Sequence, residues 1–155
     1  MAVLGPHLRC AFLCARIQPD ADGLPFALER PIHTLRFPPG KSKDYRPNEL
    51  SLYTQLENAT GSFHFWIELR NEKNELVNPN APLEWVTFPA TDNPAIPFER
   101  EFKVDITFPA PGVYFIHLMC GGRSLHNPSS PDDQPFPPLR ITLLAPMSEA
   151  NEDSR

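Results

Sequence analysis

Residues 98–108 carry the clearest pattern in the chain. Phe98, Phe102, Val104, Ile106 and Phe108 alternate with Glu99, Glu101, Lys103, Asp105 and Thr107, and only Arg100 breaks the apolar parity. Successive side chains of an extended strand point to opposite faces, so this period of two predicts a strand with one dry and one wet face. After the turn Pro109-Ala110-Pro111-Gly112, Tyr114, Ile116, Leu118 and Cys120 share one parity, and Val113, Phe115, His117 and Met119 the other. Gly121-Gly122 then predicts a two-residue hairpin turn, because both central residues of a type I′ turn need positive φ. Residues 123–127 return from it.

The same reading extends along the chain. Residues 8–17 are apolar on both parities (Leu8, Cys10, Phe12 and Cys14 against Ala11, Leu13 and Ala15), which predicts a strand covered on both faces. Asp20-Ala21-Asp22-Gly23 reads as the first turn. Residues 25–37 form a broken strand: Phe26 and Leu28 have even parity, Leu35 and Phe37 odd, which predicts a bulge or a strand switch near Pro31. Leu50, Leu52 and Leu56 oppose Ser51, Tyr53, Gln55 and Glu57. Over 62–70, Phe63, Phe65, Ile67 and Leu69 face inward and His64, Trp66, Glu68 and Arg70 outward. Residues 83–88 are a weaker strand and 139–144 the closing one. Phe37-Pro38, Phe88-Pro89 and Phe108-Pro109 end three of these runs, since proline cannot extend a ladder.

No helical period persists, so the expected fold is all-β: an antiparallel, immunoglobulin-like β-sandwich of about eight strands with proline-rich loops. The expected organisation is an N-terminal extension over 1–7, a sandwich domain over 8–145 and an acidic tail over 146–155.

Composition narrows the function classes. A chain of 155 residues with eleven Phe can bury one substantial core, and twenty Pro argue against long helices. The net charge of −5 opposes nucleic-acid binding, and the densest basic cluster, Lys41, Lys43 and Arg46, reads as a solvated loop. Cys10 and Cys14 lie about 13 Å apart on one strand, beyond disulfide reach, although either can meet Cys120 across strands. The odd cysteine count points to free thiols in a reducing compartment. The apolar run 10–15 is too short for a signal-peptide core or a membrane span, so the expected location is cytoplasmic, with no membrane partner.

No residue set compels a chemistry. His-x-His pairs are absent, leaving His64, His117 and Glu68 as a possible metal or acid–base site if their strands are neighbours. Gly40-Lys41-Ser42 ends like a phosphate loop, but Leu35 occupies the position of the required earlier glycine. Asp20, Asp22, Asp132 and Asp133 lack further acidic residues at calcium-ligand spacing. Serine occurs without a Gly-x-Ser-x-Gly elbow. Catalytic residues, metal ligands and cofactors are therefore not assigned.

Two strands carry apolar groups on the face that should meet water. His64 and Trp66 on one, and Phe115, His117 and Met119 on the other, need cover. Either the chain's own loops, such as 127–138, supply it, or these five residues are an interaction surface for a protein partner or a homodimer. Trp66, Trp85 and Tyr53 offer a third possibility, stacking platforms for a carbohydrate.

The step Pro111-Gly112-Val113-Tyr114, the pair Gly121-Gly122 and Arg123-Ser124-Leu125 resemble the final hairpin of many bacterial immunoglobulin-like sandwiches. With the opening Leu8-Arg9-Cys10-Ala11-Phe12-Leu13-Cys14, the chain resembles an uncharacterised family of small bacterial immunoglobulin-like β-sandwich proteins over 8–144. That resemblance implies the fold and brings no activity to any residue. The insertion at 127–138 departs from the short connection the resemblance implies.

Overall fold

The computed structural model describes residues 5–15, 31–48, 50–57, 60–79, 82–89, 98–126 and 137–147. Among these residues the alternating runs become nine strands: β1 (His7–Ala15), β2 (Thr34–Arg36), β3 (Leu50–Glu57), β4 (Gly61–Asn71), β5 (Glu84–Phe88), β6 (Phe98–Lys103), β7 (Gly112–Cys120), β8 (Arg123–Ser124) and β9 (Leu139–Leu144). They form two sheets. One has the order β1-β3-β6, and the other, which is curled, has the order β2-β9-β7-β4-β5 with β8 paired to β7. Among the described residues no helix is long and apolar enough to cross a membrane.

The core lies between the sheets and is built by the dry parity of each strand. Leu52 and Leu56 from β3 and Phe102 from β6 meet Phe65 and Leu69 from β4, Ile116 and Leu118 from β7 and Ile141 from β9, all buried. Burying one such side chain contributes roughly 1.5–3 kcal/mol. The hydroxyl of Tyr114 donates to the carbonyl of Ala110 at 2.6 Å, pinning the turn that feeds β7.

Several expectations change. The antiparallel rule has one exception, since β2 runs parallel to β9. Of the broken strand at 25–37, Thr34–Arg36 forms the one ladder among the described residues; residues 25–30 lie outside them, as do the turn at 20–23 and most of the loop at 127–138. Just after Pro31, Ile32 donates to Leu13 of β1 and His33 accepts from Thr142 of β9, so this stretch touches both sheets; the bulge or strand switch expected there turns on residues 25–30, which lie outside the described residues.

The long strand expected over 98–108 keeps its alternation, but its ladder stops at Lys103. Its partner β3 begins at Leu50, whose carbonyl takes the last bond from Val104 (2.9 Å). Phe108 then bridges to Tyr45 through two bonds of 2.8 and 2.9 Å. The second parity of β3 is drier than its sequence predicts: Ser51 and Tyr53 are buried, with the Tyr53 ring 4.9 Å from Phe12 of β1.

Arg100, the parity breaker, explains itself through a neighbour. It faces the interior side of β6 and pairs with Glu84 of β5, bridging the open side between the two sheets. Its guanidinium carbon lies 5.9 Å from the centre of the Phe102 ring. Below this bridge is a cavity of about 180 Å³, walled by Phe65, Ile67, Phe102 and Ile106.

Candidate functional site

The wet parity of β4, β5, β7 and β9 forms the outer face of the larger sheet. Register fixes its rows. Trp66 lies opposite Met119, Glu68 opposite His117, and Arg70 opposite Phe115; Phe115 in turn faces Arg140 of β9, and His64 faces Trp85 of β5. All five residues expected to form an interaction surface (His64, Trp66, Phe115, His117 and Met119) therefore share this face, each half-buried.

One end of the face is aromatic. The His64 ring lies 5.5 Å from Trp66 and 5.2 Å from Trp85, edge-on to the latter. Its Nδ1 is buried without a hydrogen-bond partner among the described residues. Trp85 is 65 % exposed, because β5 ends the sheet and no further strand among the described residues flanks it on its far side. Phe115, at the other end, sits between Arg70 and Arg140.

The possible metal or acid–base site does not assemble. β4 and β7 are neighbours, but His64 lies beside Gly121, four residues along the ladder from the Glu68–His117 pair. Glu68 is also occupied: Arg70 grips it at 2.8 and 3.2 Å and the Trp66 indole donates to it at 3.4 Å. Among the described residues no group of three His, Cys, Asp or Glu is placed to hold a metal ion. The carbohydrate platform also loses a member, since Tyr53 is buried in the other sheet. All three cysteines are free thiols.

His117 has different neighbours from those its sequence position suggests. Its Nδ1 lies 3.1 Å from the Ser124 hydroxyl, and its ring is 5.6 Å from that of His126, nearly perpendicular. Burial pushes the His117 pKa down; the Arg70 charge pushes the same way and Glu68 opposes it. Ser124 also accepts the His126 backbone N–H at 3.2 Å. His126 is buried, and its Nε2 accepts the Leu118 N–H at 3.0 Å. Ser124 is thus tied into the backbone of the hairpin, which suits a structural post and not an exposed nucleophile.

No protein-family model, curated protein or solved structure matches this chain. The reading of the face rests on its own chemistry.

Two of these features lie within reach of the sequence, although there Trp85 enters only as a stacking platform. Ser124 and His126 follow directly from the Gly121-Gly122 turn, which sets the pairs Cys120–Arg123 and Met119–Ser124 and brings His126 beside His117. Leu83 and Trp85 carry an apolar alternation that becomes informative only when their strand lies at an edge.

Proposed function

We propose that the chain is a non-catalytic interaction module that docks a protein partner on the outer face of its larger sheet. The observation that carries this reading is the row of half-buried Trp66, Met119, Phe115 and His64 on a face that ends in the exposed Trp85. Surfaces of this kind, aromatic with one methionine and with arginines at one end, suit the centre of a protein interface. Glu68, Arg70 and His117 on the face are engaged in internal hydrogen bonds, which leaves the aromatic surface as its main resource.

The finer fold class is part of the proposal: an immunoglobulin-like sandwich. Two features support it. The chain order places strands 1, 3 and 6 in one sheet and 9, 7, 4 and 5 in the other, as the A-B-E and G-F-C-C′ sets of such sandwiches are arranged. The Tyr114 hydroxyl reaches the backbone four residues upstream, as in a tyrosine corner. Membership of the small bacterial family and a cytoplasmic setting, which free thiols suit, belong to the same proposal.

The test is substitution of Trp66 and Phe115 by Glu, singly. Circular dichroism and melting should report a folded protein, while capture of a partner by the tagged chain from its native source falls at least tenfold. Undiminished capture by both folded variants would remove the reading. Collapse of the fold would assign the rings to the core instead.

A further inference from the structure

We propose that the chain works as a homodimer joined through the free edge of β5, so that the outer faces of two copies form one continuous surface. This rests on the reading of that face as an interaction surface and adds a second copy of the chain beside it, which extends the face.

Among the described residues four strands stand at sheet ends: β1 and β6 in one sheet, β2 and β5 in the other. Free edges invite pairing, and natural sheets blunt them with charge, bulges or brevity. β1 is bulged at Arg9, β2 has three residues, and β6 carries Glu99, Arg100, Glu101 and Lys103. β5 has none of these devices. Its one charge, Glu84, points inward and is neutralised by Arg100. Its edge instead presents Leu83 and Trp85, 54 % and 65 % exposed, and Leu76 lies farther along the same side of β4 at 41 %. Three of the four exposed large hydrophobics among the described residues therefore follow this one edge.

The backbone of β5 is oriented for pairing. The carbonyl of Ile67 and the N–H of Leu69 point toward Asn78, on the β5 side of β4, whereas the carbonyl of His64 points toward Gly121 on the β7 side. Hydrogen-bonding direction alternates along a strand, so Phe65, Phe63 and Gly61 bond to Glu84, Val86 and Phe88. Trp85 and Thr87, with Leu83 preceding them, then turn their N–H and C=O groups to the open edge.

Those three residues fix one register. A two-fold axis at Trp85 sets each Trp85 against its counterpart and Leu83 against Thr87 of the second copy. Every outward position between Pro82 and Pro89 is then used, and no proline has to donate. Moving the axis to Val86 would set Leu83 against Pro89, which has no N–H to give. In the Trp85 register Glu84 lies opposite Val86, so like charges do not meet. The contact is self-complementary and closes as a dimer, and the facing tryptophans form a favourable cross-strand pair.

Sedimentation velocity and light scattering of the full chain across a wide concentration range should give twice the chain mass. Trp85→Lys places a charge on the edge, and Thr87→Pro removes one outward N–H; each should return the mass to a single chain with an unchanged circular-dichroism spectrum. A single-chain mass at every concentration, or a dimer that survives both substitutions, overturns the proposal. Should either variant fail to fold, hydrogen exchange of the wild-type chain decides. Protection of the Trp85 and Thr87 amides that grows with concentration supports the dimer, and exchange at free-edge rates throughout ends it. Phe115→Glu, on β7 and away from the edge, should keep the doubled mass while losing the captured partner, so failure of the edge and failure of the face are separate results.

Discussion

Two side chains stand in for strands that run out. β5 covers β4 only as far as Phe65, and beyond it Asn78 takes the Leu69 N–H at 2.5 Å and donates to the Ile67 carbonyl at 2.7 Å. On β7, β9 stops at Ile116, and His126 accepts the Leu118 N–H through Nε2. An Nε2 that accepts carries no proton, so the His126 proton resides on Nδ1, which donates to the Pro137 carbonyl at 3.1 Å. Protonating Nε2 would oppose two donors in a buried place. The neighbouring His117 acts in the same sense, because burial first and the Arg70 charge second lower its folded pKa, with Glu68 offsetting part. A histidine with a depressed folded pKa contributes its stability above the unfolded value near 6.5 and loses it as pH falls through and below that point. Urea midpoints should therefore decline from about pH 7.5 toward about pH 5, and His117→Gln should flatten part of that slope. A wild-type midpoint that stays constant over this range would contradict the assignment.

The hairpin between β7 and β8 is the element that delivers Ser124 and His126 to His117. Its turn holds Gly121 at φ 58° and Gly122 at φ 92°. A Cβ at Gly122 would meet no atom within 4 Å, so any cost of substitution is conformational and not steric crowding. Gly122→Val should destabilise by about 1–3 kcal/mol, whereas Gly121→Asn, nearer the left-handed minimum, should be almost neutral; thermal melts compare them directly. Equal melting temperatures for the two variants would count against this turn. The hairpin was legible because its code is local, two glycines between alternating runs. The wet and dry parities of β4 and β7 were legible for the same reason. What stayed hidden depends on partners distant in sequence. The ladder of β6 ends where β3 begins, β2 finds β9 in parallel, and Arg100 breaks its parity to reach Glu84. The separation of His64 from His117 is a matter of register between β4 and β7, and periodicity in either strand alone carries no information about it. The exposure of Trp85 likewise belongs to its place at the end of the sheet.

At the scale of the molecule the question is whether two sheets unfold as one body. They share a contiguous core, with Leu52 and Phe102 from one sheet packed among Phe65, Leu118 and Ile141 from the other. A backbone bond from Ile32 to Leu13 ties them on one side, and Arg100 with Glu84 spans the other. The ion pair is partly exposed and contributes little, on the order of 1 kcal/mol or less, so the apolar core must hold the sheets together. The cysteines are placed to test this. Cys14, fully buried, lies in the three-stranded sheet and donates its thiol to Ser51; Cys120, also buried, lies in the curled sheet. Burial pushes the Cys120 thiol up to about 11, the Arg123 charge opposing only part of the rise, and the reactive thiolate is scarce at neutral pH. Thiol reagents should therefore label the half-buried Cys10 first. Cys14 and Cys120 should wait for an opening. Because one core joins the sheets, both should react with the same denaturant dependence, set by the global transition. Peptide-resolved labelling in increasing urea measures this. A shallow, early rise at one cysteine alone would mean that its sheet opens independently, with the open side spanned by Arg100 as the natural place for separation to begin.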